Sequence, residues 1–244
     1  MLRLSSPLLL VLAALFAATL LSWPPALAQS TEGRYTTGPS RTAGGSGKFY
    51  LGREIAWVMG HPGAGWLERP ERESEERPSL LIEKLGMKPA DVVADIGAGT
   101  GYFSFRIAPL VPQGKVIAVD IQPEMLALIA DKQRGNGIRN VESLLGNIDD
   151  PKLKPASVDL VLMVDVYHEF SHPREMMTAI VRALRPGGRV ALVEYRAEDP
   201  DVPILAAHKM SEAQAVREMR VVGLKLKQTV GGLPWQHLML FEKQ

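Results

Sequence analysis

"VVADIGAGTGYF", Val92 to Phe103, sets three glycines within five positions behind an aspartate. The valine-rich half reads as a buried strand and the half after the last glycine as the start of a helix. Between them the glycines open a turn in which a ligand can approach the main chain at the helix N-terminus. A strand, a tight turn and a helix of this kind point to an α/β fold.

The alternation continues on both sides of the turn. "DVVADI", "VIAVD", "VESLL", "VDLVLMVD" and "RVALVEY" read as short continuous strands, and "YFSFRIAPL", "PEMLALIADKQR" and "PREMMTAIVRAL" as helices, the second opened by Pro123. Valine-rich strands separated by helices predict a parallel sheet covered on both faces. Ser211 with Gln214 three residues later forms a capping box for "EAQAVREMRVV", and Gly223 follows as its stop. The last two strands, "LKLKQTV" and "WQHLMLFEK", are joined by "GGLP", a link short enough only for an antiparallel pair.

Composition narrows the function classes. The chain has 244 residues, enough for one sizeable core, and no cysteine, which excludes disulfides, thiolate metal sites and a cysteine nucleophile. Residues 1–28 combine Arg3, an apolar run from Leu8 to Leu21, and Ala26-Leu27-Ala28, the layout of a signal peptide cleaved after Ala28. The expectation is an exported protein, periplasmic or secreted, held at the membrane only if the leader is retained. Loss of Arg3 leaves 27 basic and 27 acidic residues, so a nucleic-acid partner is not expected. Residues 29–48 are rich in glycine, serine and threonine and read as a flexible linker, with the folded domain running from 49 to 244.

The glycine spacing discriminates between cofactors. A dinucleotide fold uses Gly-x-Gly-x-x-Gly, and the third place, counted from Gly97, is Tyr102; the glycines here are Gly97, Gly99 and Gly101. Asp95 stands where a pyrophosphate would approach, and a carboxylate there opposes phosphate and favours an ammonium group. S-adenosylmethionine, cationic and without phosphate, fits. Asp120 ends the next strand, where its carboxylate can accept both ribose hydroxyls.

With these residues in view, the chain resembles the class I S-adenosylmethionine-dependent methyltransferases. "ADIGAGTGYF" looks like their first motif, "VIAVDIQPEML" the ribose motif, "LLGNIDD" the adenine-side loop and "LRPGGRVALVE" the run into the fifth strand. The resemblance covers the chain from about Pro78 onward and implies a Rossmann-like, doubly wound α/β fold with a seven-stranded, mostly parallel sheet and an antiparallel C-terminal strand. It also implies that Asp95 and the amides of Gly97, Gly99 and Gly101 serve the methionine moiety, Asp120 the ribose, Ile121 the adenine face, and Asn147 and Ile148 the adenine edge.

The acceptor side is expected after the fourth strand, in "MVDVYHEFSHP". Asp165 can hold the cofactor's amine, while Tyr167, His168 and Glu169 are candidates to orient or deprotonate an acceptor. A sulfonium is already an activated leaving group, so alignment and water exclusion carry most of the chemistry. Residues 49–78 read as a cap, with Tyr50, Trp57 and Trp66 as walls and Arg69 or Arg72 reaching a carboxylate; the alternative for the Arg/Glu run is a solvated, self-paired helix start. Trp235 and Gln236 are placed at the pocket rim. No His/Asp/Glu spacing in the sequence suggests a metal site. The leading expectation is methyl transfer to a small molecule, against a non-catalytic S-adenosylmethionine-binding protein or a nucleotide-dependent oxidoreductase. Oligomeric state is not legible.

Overall fold

The computed structural model describes residues 35–243. The leader expected at 1–28 and the first part of the expected linker lie outside them.

The large sheet is built from β4 (Val92–Ile96), β5 (Lys115–Asp120), β6 (Val141–Leu145), β7 (Val158–Val164), β8 (Leu184–Arg196), β10 (Leu224–Val230) and β11 (Gln236–Lys243). Its order is β10-β11-β8-β7-β4-β5-β6, with a two-residue strand, β9 (Lys209–Met210), beside β8. From β8 to β6 every pairing is parallel, and β11 alone runs against both its neighbours. The crossover from β4 through the glycine turn to β5 therefore needs α4 (Tyr102–Ile107), and the others need α5 (Pro123–Asn136) and α6 (Pro173–Ala183).

Alternate residues of each strand feed two cores, as a pleated sheet covered on both faces requires. Val93, Leu160, Leu162 and Val193 pack with α3 (Pro78–Lys84), α4 and α5, whereas Ala94, Val161, Met163 and Leu192 pack with α6 and α7 (Glu212–Val221). The capping box forms as expected, Ser211 Oγ accepting the Gln214 N–H at 3.2 Å.

The linker reading is corrected at its C-terminal end. β1 (Tyr35–Thr37), β2 (Gly45–Tyr50) and β3 (Arg53–Ala56) form a separate three-stranded antiparallel sheet. The segment is poor in aliphatics because a carboxylate organises its turns: Glu54 accepts the N–H groups of Arg41 (2.9 Å), Thr42 (3.1 Å) and Gly47 (3.0 Å). Glycine is needed at Gly47, where φ is +73° and a Cβ would meet the Gly38 carbonyl at 2.5 Å. The sheet is tied to the large domain by Tyr35 Oη donating to Glu175 at 2.5 Å and by a two-pronged ion pair from Arg53 to Glu218 at 2.7 and 2.9 Å.

Candidate active site

The registers β4–β5, β4–β7 and β7–β8 bring the carboxyl ends of four parallel strands level, so Gly97, Asp120, Asp165 and Glu194 share one edge of the sheet. A cavity of about 370 Å³ opens above that edge, within the range of small-molecule sites. Its wall contains Gly97, Gly99, Asp120, Ile121, Asn147, Ile148 and Asp165, together with His168 and Glu169.

Asp120 is the fixed point of the turn. One oxygen accepts the Gly99 N–H and the other the Gln122 N–H, both at 2.9 Å, which leaves further lone pairs on both oxygens. Burial raises its carboxyl above the ordinary range, while the main-chain donors oppose the shift. Gly97 and Gly99 are held at φ +70° and +55°; a Cβ would lie 2.3 Å from Val166 Cγ2 at the first and 2.5 Å from Leu67 Cδ1 at the second. A side chain at either would fill the cradle.

Asp165 sits at the start of the segment after β7 with φ +50°, a conformation that aspartate tolerates better than most residues. Gln236 Nε2 donates to its Oδ2 at 2.6 Å, and its other oxygen is buried without a partner among the described residues. An unpaired carboxylate oxygen in a cavity wall is what an ammonium group would satisfy. Gln236 thus supports Asp165 from behind and is not itself in the wall.

Several expectations are corrected. Asp95 does not reach the cavity wall: it is enclosed beneath the turn, where Ser104 Oγ donates to it at 2.6 Å. Burial and the neighbouring charge of Asp120, partly offset by the Ser104 hydroxyl, lift Asp95 to about 6. Gly101 is a packing glycine and helix cap, since its Cβ would meet Phe105 and Ile129 at 2.9–3.1 Å. Tyr167 points away, its hydroxyl donating to Glu218 at 2.8 Å. Of the expected cap residues, Tyr50 is core and Trp57 and Arg69 lie outside the wall, whereas Trp66 and Arg72 line it. The Arg/Glu run is self-paired and solvated only in part: Glu68, Glu71, Glu73 and Arg77 are exposed, but Arg72 Nε donates to Glu76 at 2.7 Å and both of those side chains are buried.

The cap itself is a strap. The Met59 carbonyl accepts from Gln122 Nε2 at 3.0 Å and the Met59 N–H donates to Glu169 Oε1 at 3.1 Å, so one residue's main chain spans from the Asp120 side to the Glu169 side.

Two residues escaped sequence reading. Glu194, wholly buried in β8, accepts from His168 Nδ1 at 2.5 Å and from the His168 N–H at 3.2 Å. His208, from the loop after β8, sets its Nδ1 3.0 Å from His168 Nε2. An acid inside the apolar run "ALVEY" was the available signal for Glu194; nothing local marks His208. Burial lowers the basicity of His168, but the Glu194 charge and hydrogen bond outweigh it and raise its pKa; burial and the adjacent His168 hold His208 down, at about 4. Burial lifts Glu169 to about 7 against the opposing pull of His168.

Comparison with known proteins fits this geometry. A methyltransferase-domain family model matches residues 87–239, more than half the chain. The chain belongs to that methyltransferase family. S-adenosylmethionine is the cofactor of the class, and the expected fold and enzyme class are borne out. An uncharacterised methyltransferase-like protein of Schizosaccharomyces pombe is 38% identical over 123 residues, covering 50% of this chain and 45% of that protein. An arsenite methyltransferase of Halobacterium salinarum is 36% identical over 107 residues, 43% of this chain and 27% of that one. The methyltransferase thus spans half or less of the length of these curated relatives. In fold it is similar to an S-adenosylmethionine-dependent methyltransferase of Aquifex aeolicus, with TM-score 0.71 and 23% identity over 75% of this chain and 98% of that one. The strap and the small sheet precede the matched region.

Proposed function

We propose that the protein transfers the methyl group of S-adenosylmethionine to a small, largely apolar acceptor. The observation that carries the reading is the pair of carboxylates flanking the glycine turn: Asp120, anchored by main-chain donors, and Asp165, with one oxygen buried and unpaired among the described residues. In this reading Asp120 takes the ribose hydroxyls, Ile121, Asn147 and Ile148 border the adenine, Gly97 and Gly99 leave room for the methionine chain, Asp165 receives its amine, and Arg72 its carboxylate.

The acceptor enters beside His168, Glu169 and His208. Its apolar character is inferred from the wall, where Val58, Trp66 and Leu205 are unusually exposed for such large hydrophobic side chains. The cofactor, when bound, supplies an activated methyl group. The protein's part is to align the acceptor and exclude water beneath the Met59 strap.

The test incubates the full chain with methyl-labelled S-adenosylmethionine and a metabolite extract. Label in an apolar small molecule is the expected result. Cofactor binding with no transfer to any compound would favour the non-catalytic reading instead.

A further inference from the structure

We propose that His168, Glu169 and His208 form a binding site for one divalent transition-metal ion at the acceptor end of the cavity. Their ligating atoms converge on one point. His168 Nε2 and His208 Nδ1 are 3.0 Å apart, and Glu169 Oε1 lies 3.9 Å from the first and 3.8 Å from the second. A triangle with those sides has a centre about 2.1 Å from each corner, which is the length of a metal–imidazole or metal–carboxylate bond, about 2.0–2.2 Å.

Each ligand is held as a metal ligand is held. Glu194 accepts from Nδ1 of His168 and so aims Nε2 at the common point, the carboxylate–histidine arrangement that orients metal-bound imidazoles. Glu169 is fixed by the Met59 N–H, and His208 is carried by a short helical turn at Ala206–His208. All three residues line the cavity, so the ligand set is open on the side an acceptor would occupy. Two imidazoles and one carboxylate, with no thiolate in the chain, suit zinc and its first-row neighbours better than magnesium or calcium.

The site deepens the proposed methyl transfer and, in its catalytic use, rests on that reading. An acceptor hydroxyl bound at an open position would lose its proton to solvent; its oxygen then forms the bond to the methyl carbon, and the pair from the breaking carbon–sulfur bond stays on sulfur to give S-adenosylhomocysteine.

The experiment treats the full chain with chelator, removes it, and titrates with zinc by calorimetry and with cobalt(II) by visible absorption, alongside S-adenosylhomocysteine as a separate ligand. One ion per chain is expected, with ligand-field bands from bound cobalt. His208→Ala and Glu169→Gln should each weaken zinc at least 100-fold, and Glu194→Gln about 10–100-fold, with S-adenosylhomocysteine affinity in His208→Ala unchanged. Failure of the parent chain to take up either ion, or uptake that the variants leave unaltered, overturns the site. Zinc uptake without S-adenosylhomocysteine binding would uphold the metal site and sink the cofactor reading; the reverse would sink the metal site alone.

Discussion

Two carboxylates near the glycine turn, Asp120 and Asp95, do different work because their surroundings differ. Asp120 faces the cavity, and Asp120→Ala should weaken S-adenosylhomocysteine about 100-fold or more in calorimetry, since charge-assisted hydrogen bonds contribute about 1.5–3 kcal/mol each. Gly99→Val should abolish binding in the same assay, because its branched side chain would occupy the cradle and strain a backbone at φ +55°. Asp95 is a buried group whose carboxyl is lifted from 3.8 to about 6. Its folded pKa exceeds the unfolded one, so its stabilising contribution is complete below about pH 4, declines as pH rises to about 6, and is absent above. Asp95→Asn keeps an acceptor for Ser104 and removes that dependence. Urea unfolding should find the variant more stable than the parent at pH 7.5, by up to about 3 kcal/mol at about 1.4 kcal/mol per pKa unit, and similar to it at pH 4.

Among the elements, the strands and helices from Val92 onward were legible because their sequences combine period and punctuation: apolar runs, Pro123 and Pro173 at helix starts, Ser211 as a cap, Gly223 as a stop. The first sheet was not. Its strands are short and bury Phe49, Tyr50, Ile55 and Ala56, but their placement depends on Glu54 and on contacts more than a hundred residues away, which no local pattern encodes. The candidate site divides in the same way. Asp120, Asp165 and the first two glycines follow from strand ends, but Asp95, Gly101 and Tyr167 sit next to site residues and face the other way. Glu194 and His208 needed the β7–β8 pairing and the loop beyond it. The turn-to-helix junction provides a packing test: Gly101→Ala should destabilise the fold by about 1–3 kcal/mol in denaturant unfolding, because its Cβ would press on Phe105 and Ile129.

Over the whole molecule, the small sheet and the large domain are joined at the back of the acceptor segment. Arg53, from β3, pairs with Glu218 of α7, donates to the His168 carbonyl at 3.1 Å, and lies over the Tyr167 ring. Arg53→Met would strand a buried charge on Glu218 and should cost about 3–5 kcal/mol. Adding Glu218→Leu should recover part of that loss, so a double-mutant cycle in urea checks the linkage.

Whether this edge of the sheet binds S-adenosylmethionine is read out by calorimetry with S-adenosylhomocysteine and with NAD on the full chain. One S-adenosylhomocysteine per chain is expected, with binding lost in Gly99→Val and no comparable binding of NAD. Tighter binding of NAD, or S-adenosylhomocysteine binding that Gly99→Val and Asp120→Ala leave intact, would overturn the placement of the cofactor at this edge.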